Sequence, residues 1–129
     1  MTPSELRLYR AANLGAPRPI RHALAAFLDA LEFEPTRRED ILLAVGEALS
    51  NAVEHAYPPS DPGVIEVHAL VPDGRTLTVE VADRGAFVPR DGSPNRGFGL
   101  RIMRAIASHV TVETGEGTRV SLTFEAPAA

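Results

Sequence analysis

The sequence predicts an α+β two-layer sandwich in which three helices cover one face of a mainly antiparallel sheet. Three observations carry that expectation. Apolar residues recur at helical spacing over 17–33, 36–57 and 100–107. Apolar and polar residues alternate over 64–82 and 110–124, each stretch interrupted by a glycine-bearing turn. The order strand, helix, helix, hairpin, glycine-rich segment, helix, hairpin gives the helices one sheet face to cover and leaves the other wet.

The chain opens on Leu6, Leu8 and Ala11 interleaved with Arg7, Tyr9 and Arg10, a first strand with one buried face. A loop follows over 13–19. Ile20, Leu24, Phe27, Leu28 and Leu31 then line an amphipathic helix over 17–33 that carries no chemistry, and Glu34 and Pro35 link it to the next. The central helix spans 36–57. Thr36 and Glu39 read as a capping box at its start, with Arg37 and Arg38 solvated, and Pro58 and Pro59 end it. At roughly 100° per residue, Ile41, Leu42, Val45, Ala48, Leu49 and Ala52 share a core arc. Asp40, Glu47, Asn51 and Glu54 fall opposite, with His55 at the edge. Turn residues over 58–63 lead to a β-branched strand over 64–71, a hairpin signal at Pro72, Asp73 and Gly74, and a return strand over 75–82. Residues 84–98 form a glycine- and proline-bearing lid. A helix over 100–107 follows, then a short strand at Val110 and Val112, a turn at Gly115 to Gly117, a strand over 118–124 and a frayed tail.

At 129 residues the chain suits one domain over 1–129, with its core at about 5–125. Its 44% apolar and 23% charged residues place it with soluble globular proteins. A net charge of −4 without a dense basic tract argues against a direct nucleic-acid partner. The absence of cysteine excludes disulfides, thiolate metal sites and a cysteine nucleophile. No apolar run approaches the roughly 20 residues that span a bilayer, and no signal-peptide core is present, so a cytoplasmic protein without membrane contact is expected. His22, His68 and His109 are scattered and suggest no metal site.

Four features carry chemistry. Glu47 and Asn51, one turn apart, pair a proton acceptor with a neutral metal ligand on a buried helix. Asp83 ends a strand just before Gly85, where a carboxylate can accept from an exocyclic amine and a glycine admits a flat ring. Arg96, Gly97, Phe98, Gly99 and Leu100 open a helix whose free N–H groups suit phosphate oxygens. Gly115 to Val120 places the Thr118 hydroxyl at the start of a buried strand. Alone, each has an ordinary reading: a solvated helix face, a strand-ending turn, a glycine pair before a helix, a hairpin turn. Their order and spacing are far more specific.

Glu-(x)₃-Asn on a helix, strand–Asp-x-Gly, a glycine-rich lid opening a helix, and Gly-Thr-x-Val together resemble the GHKL ATPases, the Bergerat or histidine-kinase-like fold. Within them, EALSNAVEHAY, VADRGAFVPRD, RGFGLRIMRAIASHV and GEGTRVSLTFE look like the bacterial anti-sigma factor serine/threonine kinases, the partner-switching kinases. The resemblance covers about 5–125, so no transmembrane sensor, phosphoacceptor helix pair or transducer domain is expected. It implies ATP and Mg²⁺ as cofactors. Asn51 would hold the Mg²⁺, and Glu47 would be the general base toward a serine or threonine hydroxyl. Asp83 would take the adenine amine and Gly85 would make room for the ring. Gly97 and Gly99, with Leu100 behind them, would close the lid on the phosphates, and Thr118 would bind the adenine side. Arg84 or Arg96 would offset phosphoryl charge. Glu54 is the alternative base, and His55 either touches phosphate or is a structural histidine.

The sequence departs from many of these relatives at Ala86 and Phe87, where another glycine often stands; Phe87 would cap the base or pack beneath the lid. The implied partners are a STAS-domain anti-anti-sigma protein, a sigma factor and a second copy, docked through the face around Leu24 and Leu28 or through the first strand. The alternatives are a nucleotide-binding anti-sigma or scaffold protein of the same fold without kinase activity, and a degenerate fold that binds no nucleotide. The lid is expected to be mobile without nucleotide and to order with ATP.

Overall fold

The computed structural model describes residues 5–55, 63–72, 75–85, 96–115 and 117–125, without the side chains of His55, Arg96 and Phe98. Its elements run β1 (Glu5–Ala11), α1 (Pro17–Ala30), α2 (Pro35–His55), β2 (Val64–Leu70), β3 (Thr76–Asp83), α3 (Arg96–Ile106), β4 (His109–Gly115) and β5 (Gly117–Glu125). The strands form one sheet in the order β1-β2-β3-β5-β4, and each neighbouring pair is antiparallel. This is the predicted α+β architecture.

Period-2 alternation sorts the sheet into two faces. One cross-strand row reads Leu6, Ala69, Val79, Leu122 and Val110; the next reads Arg7, His68, Glu80, Ser121 and Thr111. The first row belongs to the core. Ile65, Val67, Ala69, Leu77, Val79, Leu122 and Phe124 are buried there against Ile20, Leu24 and Leu28 of α1 and Ile41, Val45 and Leu49 of α2. The second row is polar. On the same face of the sheet Glu5 and His68 are 2.6 Å apart, and Arg7 reaches Glu66 at 3.5 Å.

The predicted arc of α2 is buried throughout, and Ala44 joins it. Several boundaries differ from the pattern reading. α2 begins at Pro35, ahead of the expected capping box, because proline supplies the helical φ at a first position that needs no N–H donor. α1 stops at Ala30 rather than 33. There Glu32 turns left-handed (φ 64), its N–H reaches the Asp29 carbonyl at 3.0 Å, and the Phe33 N–H reaches the Leu28 carbonyl at 3.1 Å. This is a Schellman cap, with Phe33 and Leu28 both buried beneath it. β4 is a full strand, held along its length by β5.

Arg37 and Arg38 are not a solvated helix start. Arg37 donates to the Ile106 carbonyl (3.4 Å) at the C-terminus of α3 and lies over the Phe124 ring at 5.8 Å. Arg38 pairs with Asp29 of α1 at 3.0 Å. Leu24 and Leu28 are fully buried in this chain's own core and present no face to a second copy. The expected turns at 58–62 and 73–74, most of the lid, and the tail lie outside the described residues. Among those described, no helix is long and apolar enough to cross a membrane.

Candidate active site

α2 holds Glu47 and Asn51 half-buried on the flank that faces α3. The contact there is made by a glycine. A Cβ at Gly99 would lie 3.7 Å from Asn51 Nδ2, 3.8 Å from Glu47 Cβ and 4.0 Å from Asn51 Oδ1. The first turn of α3 therefore rests on the two side chains that the sequence singles out. Gly97 and Gly99 sit inside that turn, not ahead of it, because α3 starts at Arg96 rather than 100. The first N–H groups of a helix have no intrahelical acceptor, and no acidic side chain occupies this turn. Leu100 packs behind it against the core.

A second cluster forms where β3 ends and β5 begins. Asp83 pairs in register with Thr118 and is 8% exposed, the buried charged residue among those described. Its Oδ1 accepts the Gly85 N–H at 3.1 Å, and the Thr118 N–H also donates to the carboxylate. Burial pushes the Asp83 carboxyl above its ordinary range, against the opposing pull of those two donors. Beside it, Thr118 Oγ1 is buried without a hydrogen-bond partner among the described residues. A buried polar atom left unpaired costs about 1–3 kcal/mol, so this hydroxyl fits a polar ligand edge that would pair it. Asp83 and Thr118 thus offer an acceptor and a hydroxyl side by side, which suits a flat heterocycle carrying an amine.

An open cleft of about 1170 Å³ at this end of the sheet is lined by Asp83, Gly85 and Thr118 with Tyr9, Arg84 and Arg119. Glu47, Asn51 and Gly99 do not line it. The site residues therefore form two clusters, α2 with α3 and β3 with β5, and residues 86–95 between them, including Ala86 and Phe87, lie outside the described residues. Arg84 stands at the cleft. Glu54 is exposed. Gly117, the glycine of the Gly-Thr-x-Val string, also lines the cleft.

The fold is an open α+β sandwich that gathers its candidate residues in these two clusters. Residues 11–124 match the family model of the histidine kinase-like ATPase domain, and the chain belongs to that family. It is 32% identical over 116 residues to an anti-sigma F factor from Clostridium acetobutylicum, a match covering 78% of each chain. It is 33% identical over 101 residues to the serine-protein kinase RsbW from Bacillus velezensis, covering 66% of this chain and 62% of that one. Among solved structures, the RsbU and RsbW domains of Rv1364c from Mycobacterium tuberculosis superpose with a TM-score of 0.78 at 28% identity. That superposition takes in 98% of this chain and 34% of the longer one.

Proposed function

We propose that the chain is an ATP-dependent serine/threonine kinase that phosphorylates a STAS-type anti-anti-sigma protein and also sequesters a sigma factor. The observation that carries this reading is the seating of a glycine-opened helix start on Glu47 and Asn51, in a member of the histidine kinase-like ATPase family. The names of its relatives support the same reading.

Asp83 accepts the exocyclic amine of adenine, Gly85 admits the ring, and Thr118 completes the recognition edge. The N–H groups around Gly97 and Gly99 face the phosphates, with Leu100 anchoring that turn to the core. Asn51 is a single neutral ligand, and no cage of three or more acidic or histidine side chains stands among the described residues. Asn51 would hold Mg²⁺, which when bound would supply charge neutralisation. Glu47 takes the proton of the acceptor hydroxyl as its oxygen bonds to the γ-phosphorus. The bond from that phosphorus to the bridging oxygen breaks, and ADP leaves.

The test is transfer of the γ-phosphate. Incubation with γ-labelled ATP, Mg²⁺ and candidate STAS-domain antagonists should move label onto a serine or threonine of one of them. ATP binding with no transfer to any of them would favour the scaffold reading. A homodimer docked through β1 is part of the proposal, because β1 is an edge strand and the alternative face at Leu24 and Leu28 is buried.

A further inference from the structure

The two glycines of the β4–β5 turn have different physical reasons. Gly115 has φ +150 and none of the described residues within 4 Å of a Cβ built on it, so backbone conformation is what it serves. Gly117 has φ +86, and its Cβ would fall onto the Asp83 carbonyl oxygen and 2.6 Å from the Arg84 Cα. Those are backbone atoms, so no rotamer change relieves the clash. The strand carrying Thr118 closes onto the strand carrying Asp83 at the one place where a side chain is missing. Next along β5 comes the Asp83–Thr118 pair, with its N–H bond to the carboxylate and its orphaned hydroxyl.

We infer that Gly117 is a positioning residue for base recognition: by admitting the Asp83–Arg84 backbone, it sets the Asp83 carboxylate and the Thr118 hydroxyl at the spacing of one amine-bearing ring edge. This rests on the nucleotide-site reading above. A methyl group at 117 would force the strands apart by roughly 1 Å before the contact became tolerable. A hydrogen bond stretched by that much is lost. Gly117 touches no ligand in this scheme; it acts through Asp83 and Thr118.

Calorimetry with ADP and with IDP tests it, since IDP carries a carbonyl where ADP carries the amine. The unaltered chain should prefer ADP. Gly117→Ala should lower ADP affinity about 10- to 100-fold while IDP affinity changes less, so the preference collapses. Gly115→Ala should keep the ADP preference, whatever it does to stability. Thr118→Val, which leaves the strands in place but removes the hydroxyl, should also erode the preference, and this variant carries the test if Gly117→Ala does not fold. A folded Gly117→Ala chain with the original ADP-to-IDP ratio, or a Thr118→Val chain with that ratio, would overturn the inference and leave the nucleotide site standing. An unaltered chain that binds neither nucleotide would remove the site itself, and the inference with it.

Discussion

Burying the Asp83 carboxyl favours its neutral form in the folded chain. Its folded pKa is raised, so the stability it contributes is fully present below the ordinary carboxylate value of about 3.9 and is lost as pH rises through the folded value. Asp83→Asn should therefore raise Tm at neutral pH, with the gain shrinking as pH falls below the carboxylate range; thermal melts across that range check the sign. The Asp83→Asn side chain keeps an oxygen for the Gly85 N–H but turns an amide donor toward an incoming amine, so ADP affinity should drop about 10- to 100-fold. An Asp83→Asn variant that is less stable at neutral pH would contradict the burial argument. Glu47→Gln should cut phosphoryl transfer about 10²–10⁴-fold with nucleotide affinity nearly unchanged. Full activity in that variant would mean either that Glu54 is the base or that no base is needed. Asn51→Ala should instead weaken the Mg²⁺-dependent part of nucleotide binding, read by titration with and without Mg²⁺.

The ends of the helices carry their own tests. α1 is capped with Glu32 in the left-handed region, a conformation that glycine adopts freely. Glu32→Gly should stabilise the chain by roughly 0.5–1 kcal/mol in urea denaturation, since it relieves φ strain while keeping the Schellman bonds. The cap was not legible in the sequence because the residue that performs it has low propensity for the position; burial of Phe33 and Leu28 holds it there. At α3, Gly99→Ala meets Asn51 only at ordinary contact distance and improves helix propensity by up to about 1 kcal/mol, so the fold should tolerate it. Any loss should fall on ATP more than on ADP if this turn serves the terminal phosphate. An equal fold-loss of ATP and ADP affinity in this variant relative to the unaltered chain, as measured by calorimetry, would take the turn away from that phosphate.

Across the whole molecule, Leu24 separates folding from association. It is fully buried between α1 and the sheet, so Leu24→Ala should cost about 2–5 kcal/mol of unfolding free energy. Sedimentation of the unaltered chain at micromolar concentration should show a dimer, and one built on β1 should persist in any fraction of the Leu24→Ala chain that remains folded. Sedimentation showing only monomer would end the docking proposal. What local pattern carries, the sequence carried: strand alternation assigned Leu77, Val79 and Val81 to one face, and helical spacing assigned Ile41, Val45 and Leu49, because these periods are set by a few neighbouring residues. Asp-x-Gly, Gly-Thr and Glu-(x)₃-Asn were legible for the same reason, each being a short string. Strand order is not local. Only closure of the sheet as β1-β2-β3-β5-β4 sets Asp83 opposite Thr118, and only the docking of α3 on α2 lays Gly99 on Asn51. The need for glycine at 117 belongs to the same class, since it comes from the close approach of a backbone remote in sequence.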